Sequence, residues 1–105
     1  MKFDHIAFYS KDIFRSISWY TNMLDAKILY QDDTWGLIEV SDLKIAFVSP
    51  NQHPNHICFE INDDYSEKHL ANKIFKEHRD GSESCYIKDL DGNHIEFLKW
   101  PKKNG

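Results

Sequence analysis

The sequence predicts an α+β domain built from two copies of one strand–helix–strand unit, and three observations carry that expectation. The phrase Asp4-His5-Ile6-Ala7-Phe8 returns as Asn55-His56-Ile57-Cys58-Phe59, 51 positions later. Each copy leads through an acidic turn into a segment whose apolar residues recur at helical spacing. Each then ends in short alternating runs separated by turn residues, the pattern of antiparallel hairpins. A repeat of this length implies one supersecondary unit used twice, with a pseudo-twofold axis relating the copies.

The elements of the first unit follow in order. Residues 2–9 alternate as a strand, with Ile6 and Phe8 on one face and Phe3, His5, Ala7 and Tyr9 on the other. Ser10 or Asp12 is placed to cap a helix. From Ile13 to Leu24, Phe14, Ile17, Tyr20 and Leu24 fall on one stripe at spacings of three and four. Residues 26–31 read as a strand, and Asp32-Asp33-Thr34 as a turn. Trp35–Val40 and Leu43–Val48 form a hairpin across Ser41-Asp42.

Ser49-Pro50-Asn51-Gln52-His53-Pro54, with two prolines, is the natural joint. The second unit opens with a strand over 55–61. Asp63 or Asp64 starts a helix over roughly 65–78 that turns Leu70, Ile74 and Phe75 inward. After the polar stretch 79–83, strands 84–88 and 94–99 flank the Asp-Gly turn Asp89-Leu90-Asp91-Gly92-Asn93. Pro101 to Gly105 is expected to be a loose tail. The second unit therefore counts one strand fewer than the first. One domain is expected over 1–105, with module one at about 1–49 and module two at about 55–100.

Composition narrows the classes of function. A chain of 105 residues, 41% hydrophobic and 14% aromatic, can build one packed core. Net charge is −4 and the largest basic cluster is Lys102-Lys103, so the basic face that nucleic acid requires is missing. No run approaches the roughly 20 apolar residues of a membrane span, and no apolar leader follows Met1. Cys58 and Cys85 both sit in strand-like runs, which reads as two reduced, buried thiols in a cytoplasmic protein.

The strongest chemical constellation is His5, His56 and Glu96. The two histidines hold equivalent positions in the repeat. In Asn93-His94-Ile95-Glu96-Phe97-Leu98, alternation turns Ile95 and Phe97 toward a helix and Glu96 away from it, as with His5 and His56. Two imidazoles and one carboxylate suit a divalent first-row metal and leave positions open for water or substrate. Glu39 and Glu60 are the candidate proton-transfer residues, because a carboxylate in an apolar setting is tuned toward neutrality. His94 is a rim candidate, and only one of Tyr86 and Lys88 is expected to share the side of Glu96. The run Asp89-x-Asp91-Gly92-Asn93 is not a calcium loop, since its glycine is misplaced and no glutamate closes twelve residues. One cysteine on a strand does not make Cys58 a nucleophile.

These phrases resemble the vicinal-oxygen-chelate superfamily, which includes glyoxalase I, fosfomycin-resistance enzymes, bleomycin-binding proteins, extradiol dioxygenases and methylmalonyl-CoA epimerase. The matching segments are His5-Ile6-Ala7-Phe8, Ser18-Trp19-Tyr20-Thr21-Asn22-Met23-Leu24, Asn55-His56-Ile57-Cys58-Phe59 and Asp89-Leu90-Asp91-Gly92-Asn93-His94-Ile95-Glu96, spread over nearly the whole chain. The resemblance implies paired βαβββ modules whose curved mixed sheet surrounds a metal cup, here with a shortened second module. It also implies metal ligands from the first and fourth strands of each module. His5, His56 and Glu96 occupy three of those four positions. Ala46 stands where glyoxalase I-like sequences carry a glutamate, which argues against glyoxalase I activity itself.

The expected function is a metal-dependent, glyoxalase-like enzyme of isomerase or lyase type. Its small, oxygen-rich substrate would be held through two oxygens on a Zn, Ni, Mn, Fe or Co ion. The alternatives are a metal-free drug-sequestering protein of the bleomycin-resistance type, a fosfomycin-type transferase and an extradiol-type dioxygenase. Small molecules are the expected partners, with no nucleic acid and no membrane. The resemblance also implies a homodimer, and the shortened second unit leaves a sheet edge for a partner to cover.

Overall fold

The structure is a computed structural model that describes residues 1–101; most of the expected loose tail, residues 102–105, lies outside the described residues. Eight strands and two helices alternate as β1 (Lys2–Tyr9), α1 (Ile13–Met23), β2 (Ala26–Gln31), β3 (Trp35–Val40), β4 (Leu43–Val48), β5 (His56–Glu60), α2 (Asp63–His69), β6 (Lys76–Glu77), β7 (Glu83–Lys88) and β8 (His94–Lys99). The strands form one eight-stranded sheet in the order β2-β3-β4-β1-β5-β8-β7-β6. It is mixed, with β1 and β4 parallel while β2–β3, β3–β4, β6–β7 and β7–β8 are antiparallel. The fold is thus α+β, as the periodicity indicates.

The chain divides into two compact units, His5–Ile57 and Met1–Asp4 with the chain from Cys58 onward. The boundary falls inside β1 and β5, so both strands contribute to both units.

In the unit His5–Ile57, α1 starts because Asp12 caps it: its carboxylate accepts the Arg15 N–H at 3.1 Å. Strand register sorts the side chains. Ile6, Phe8, Ile45, Phe47 and Ile38 face α1 and pack with Ile13 and Ile17 in one core cluster. The helix sits close to β3 at Gly36, where a Cβ would stand 2.3 Å from Ile17 Cδ1 and 3.1 Å from Ile13 Cγ2. That contact decides which helical stripe is buried. Ile13, Ile17 and Tyr20 turn inward, whereas Phe14, expected inward, is 51% exposed. Phe14 lies about 100° round the helix from Ile13, on the flank of the stripe formed by Ile13, Ile17 and Tyr20. The opposite face carries Ala7, Leu37, Ala46 and Val48 as a second small cluster.

In the other unit, Asn62 caps α2 by accepting the Tyr65 N–H at 2.8 Å. Ile61, Leu70, Cys85 and Phe97 form the core, flanked by Phe59, Tyr65, Phe75, Ile87 and Ile95. The expectation of a helix through residue 78 is corrected. The helix stops at His69, Leu70 bonds back to Ser66, and Lys73 closes a turn on Leu70. Lys76 and Glu77 then pair with Ser84 and Glu83 as a two-residue edge strand. Leu70 and Phe75 are inward, but Ile74 is 92% exposed. The edge of β7 offers unpaired backbone groups, and pairing with them outweighs two further helical turns that would bury little. The second unit therefore holds the same element sequence as the first, with one strand cut to two residues.

Turns close on aspartate side chains. Asp89 accepts the N–H groups of Asp91 at 2.9 Å and Asn93 at 2.8 Å, plus the Asn93 side-chain amide at 2.8 Å, while Gly92 takes φ +87°. Asp32 accepts from Thr34 and Trp35 in the same manner. These turns set the hairpin registers and hence the faces on which the chemical side chains emerge.

Candidate metal centre

His5 lies in β1 and His56 opens β5, neighbouring strands of the sheet. Alternation puts His5 with Ala7 on the face opposite α1. The Nε2 atoms of His5 and His56 stand 3.2 Å apart, with ring planes at 76°. The Nδ1 atom of His56 lies 2.7 Å from the Pro54 carbonyl oxygen. A carbonyl only accepts, so that nitrogen carries the hydrogen and Nε2 of His56 presents its lone pair. The backbone of the joint thereby fixes both the ring's orientation and its tautomer, as is usual for a metal-ligating histidine. His56 is buried and His5 half-buried. His53, from the same loop, brings a third imidazole, its ring centroid 6.2 Å from that of His56.

The separation of the two nitrogens tests whether they fit a metal. Nitrogens each about 2.1 Å from one ion, at roughly 90–110° to each other, stand about 3.0–3.4 Å apart. The observed 3.2 Å falls inside that window.

Glu96 lies in the other unit, on β8, and is 7% exposed. It stands directly opposite Tyr86 in the β7–β8 register. Ile95 and Phe97 on its flanks belong to the core against α2, so Glu96 points from the other face, as alternation requires. Cys58, fully buried on β5, donates a thiol hydrogen bond to Glu96. Burial first, then the Glu96 charge, pushes the Cys58 thiol far above its usual range, so it stays a thiol. The same two causes raise the Tyr86 phenol. Tyr86 and Lys88 are two residues apart and face the same way, opposite Glu96 and His94 respectively. The expectation that only one could do so is corrected, because strand side chains repeat every second residue.

The two proton-transfer candidates sit in different surroundings. Glu60 follows Cys58 by two residues on β5 and shares its side of the strand. Glu39 stands between Lys27 on β2 and Lys44 on β4. Ala46 is buried opposite Leu37 and Ala7, so that place is apolar.

The link between Glu96, Cys58 and Tyr86 was not anticipated from sequence. The hairpin register that pairs Tyr86 with Glu96 follows from the Asp89–Asn93 turn, so half of the signal was present there. The thiol contact depends on a strand far away in sequence.

The family model for the Glyoxalase/Bleomycin resistance protein/Dioxygenase superfamily matches residues 2–97. The chain belongs to this superfamily. Solved structures agree at the level of fold. A superfamily member from Vibrio splendidus 12B01 superposes with a TM-score of 0.70 at 12% identity, covering 93% of this chain and 99% of that one. A hypothetical protein from Bacillus halodurans C-125 gives 0.72 at 16% identity, covering 99% and 97%. A Legionella pneumophila protein named as an NAD-dependent benzaldehyde dehydrogenase gives 0.69 at 16% identity, covering 91% and 97%. No curated protein matches the sequence. Among the described residues, no helix is long and apolar enough to cross a membrane.

Proposed function

We propose that this superfamily member is a metal-dependent enzyme in which His5, His56 and Glu96 together hold one divalent ion. The observation that carries the reading is the pair of imidazole nitrogens at 3.2 Å, one of them already oriented by the Pro54 carbonyl. Membership of the superfamily and the burial of Glu96 beside Cys58 support the third ligand. When bound, the ion would supply Lewis acidity toward two oxygens of a small substrate.

The chain's own residues would then do three things. His5 and His56 would orient the site from neighbouring strands. Glu60 would move a proton at the substrate, with Glu39, which stands opposite Lys27 and Lys44 in the strand registers, as the second candidate. The apolar set Ala7, Leu37, Ala46 and Val48 would keep water from the face that His5 shares. Isomerase or lyase chemistry of the glyoxalase-like type fits best. Ala46 at the fourth ligand position separates this chain from glyoxalase I itself.

The deciding experiment is elemental analysis of protein purified without chelator or added nickel. About one equivalent of Zn, Mn, Fe, Ni or Co is expected, and it should be lost in His5→Ala and His56→Ala. Absence of any stoichiometric metal, in protein that also fails to take up added Mn, Co or Ni, would favour the metal-free drug-sequestering alternative. Assays with a methylglyoxal–glutathione adduct, fosfomycin with a thiol, and catechol would then separate lyase, transferase and dioxygenase chemistry. We further propose a cytoplasmic homodimer; the edge expected for it, in the second unit, is the two-residue β6, so the covered edge would instead be β2, where Ile28, Leu29 and Tyr30 are exposed at 44%, 38% and 43%.

A further inference from the structure

We propose that the cleft between the end of β1 and α1 binds a small aromatic carboxylate, through residues that play no part in the ion site proposed above.

The cleft lies wholly within the unit His5–Ile57 and encloses about 430 Å³, a volume typical of small-molecule sites. Its walls carry aromatic surface that is not covered. Tyr9 and Trp19 line it and are 53% and 58% exposed. Trp19 stands edge-to-face against Tyr20 at 5.1 Å between ring centroids, and Tyr20 packs on the buried Phe47 at 4.8 Å. The indole is thus anchored to the core while much of its surface stays open to a flat ring.

The same cleft carries cations without counter-charges. Lys11 and Arg15 are exposed and take part in no ion pair among the described residues. The acid in the lining, Asp12, is committed to capping α1, where its Oδ1 accepts the Arg15 backbone N–H at 3.1 Å. The Ser16 backbone N–H closes on the Asp12 carbonyl at 3.0 Å, so the attraction lies in side chains rather than in the helix end. A planar guanidinium suits a carboxylate, which it meets with two parallel hydrogen bonds.

The floor adds a donor. The hydroxyl oxygens of Ser10, 6% exposed, and Ser16 stand 2.5 Å apart, and Ser10 Oγ also accepts the Asp12 N–H at 3.2 Å. Two hydroxyls bring two hydrogens, and the bond between them uses one. Neither serine side chain donates to another group among the described residues, so the second hydrogen is left for an acceptor in the cleft. The Ser10 N–H on the Val48 carbonyl at 2.8 Å and the Tyr9 N–H on Asn55 Oδ1 at 2.6 Å fix this floor in place. A hydroxyl donor, two cations and an open aromatic face select a ligand with a ring at one end and a carboxylate at the other.

The test is an amide NMR titration of the full chain, stripped of metal by chelator and desalted, with naphthoate, naphthamide and acetate. Naphthoate should shift the amides of residues 9–20 and the Trp19 indole N–H saturably. Naphthamide, which keeps the ring without the charge, and acetate, which keeps the charge without the ring, should each bind at least about tenfold more weakly. Arg15→Gln should weaken naphthoate binding roughly tenfold, and Trp19→Ala roughly 3–10-fold, with spectra that otherwise retain the wild-type dispersion. Lys68→Gln, on α2 in the other unit, should bind as wild type. Equal affinity for naphthamide and naphthoate in the wild type would overturn the proposal without recourse to any variant. So would saturable shifts confined to other parts of the chain, or the absence of saturable shifts. None of these outcomes bears on the metal reading, which elemental analysis decides separately.

Discussion

At the scale of single residues, the chemistry turns on which atoms are held and by what. The Pro54 carbonyl takes the Nδ1 hydrogen of His56 and so commits Nε2 to an outside partner. His5 meets that nitrogen from the neighbouring strand. Replacing His56 by Gln keeps bulk and a polar end but loses the imidazole lone pair. It is expected to abolish stoichiometric metal while leaving the fold intact, which elemental analysis and circular dichroism would check together. Glu96→Gln removes the charge but keeps the shape. Metal affinity should fall by at least about tenfold, measured by chelator competition, because a neutral amide is a poorer ligand for a hard cation. Glu60→Gln should leave metal content unchanged and lower turnover on whichever assay substrate wild type accepts, by roughly 10²–10⁴-fold if Glu60 moves the proton. An equal loss in Glu39→Gln, with none in Glu60→Gln, would reverse the two roles.

At the scale of elements, turns and one close approach govern the arrangement. Hydrogen bonds from the Asn93 side chain, then from the Asn93 and Asp91 backbones, hold the Asp89 carboxyl below its ordinary range. The Tyr30 hydroxyl, then Thr34 and Trp35, do the same for Asp32. A carboxyl whose folded-state pKa is depressed stabilises the fold above the unfolded value and loses that contribution as pH falls through the folded one. Asp89→Ala should therefore melt lower than wild type near neutrality, and the gap should narrow as the pH falls below the ordinary carboxylate range. A gap independent of pH would mean that the carboxylate does not hold the turn. Gly36 tests the helix contact. Gly36→Ala pushes on Ile17 Cδ1, the flexible end of a side chain, so about 1–3 kcal/mol of destabilisation is expected by chemical denaturation. Truncating the buried partner, Ile17→Ala, should cost more, about 2–5 kcal/mol.

At the scale of the whole molecule, the sheet has two open ends, β2 and β6. The two-residue β6 offers a partner almost no backbone to pair with, which is one common way proteins protect an edge. The six-residue β2 is not protected in that way and carries exposed apolar side chains, with a register irregularity between Ile28 and Tyr30. Light scattering behind size-exclusion chromatography should therefore report a dimer, and Leu29→Lys should shift it toward monomer while leaving metal content per chain unchanged. A monomeric wild type at high micromolar concentration would rule the dimer out.

Local chemistry was enough to write most of the elements. Side-chain alternation named β1, β3, β4 and β8, and their bounds hold because turn residues such as Ser41-Asp42 and Asp89–Asn93 punctuate them. The repeated His-Ile phrase singled out His5 and His56 because a repeat brings equivalent residues to equivalent places. Other features were decided only by tertiary contact. Ile13 rather than Phe14 is buried, on the side of the helix that packs against Gly36. The second helix gave up its last turns to an edge strand because β7 offered backbone partners. The thiol bond on Glu96 joins residues 38 positions apart, since Cys58 and Glu96 meet through strands that no short-range pattern pairs. Periodicity is a property of neighbours along the chain, whereas a 3.2 Å approach of two imidazoles is a property of strands laid side by side.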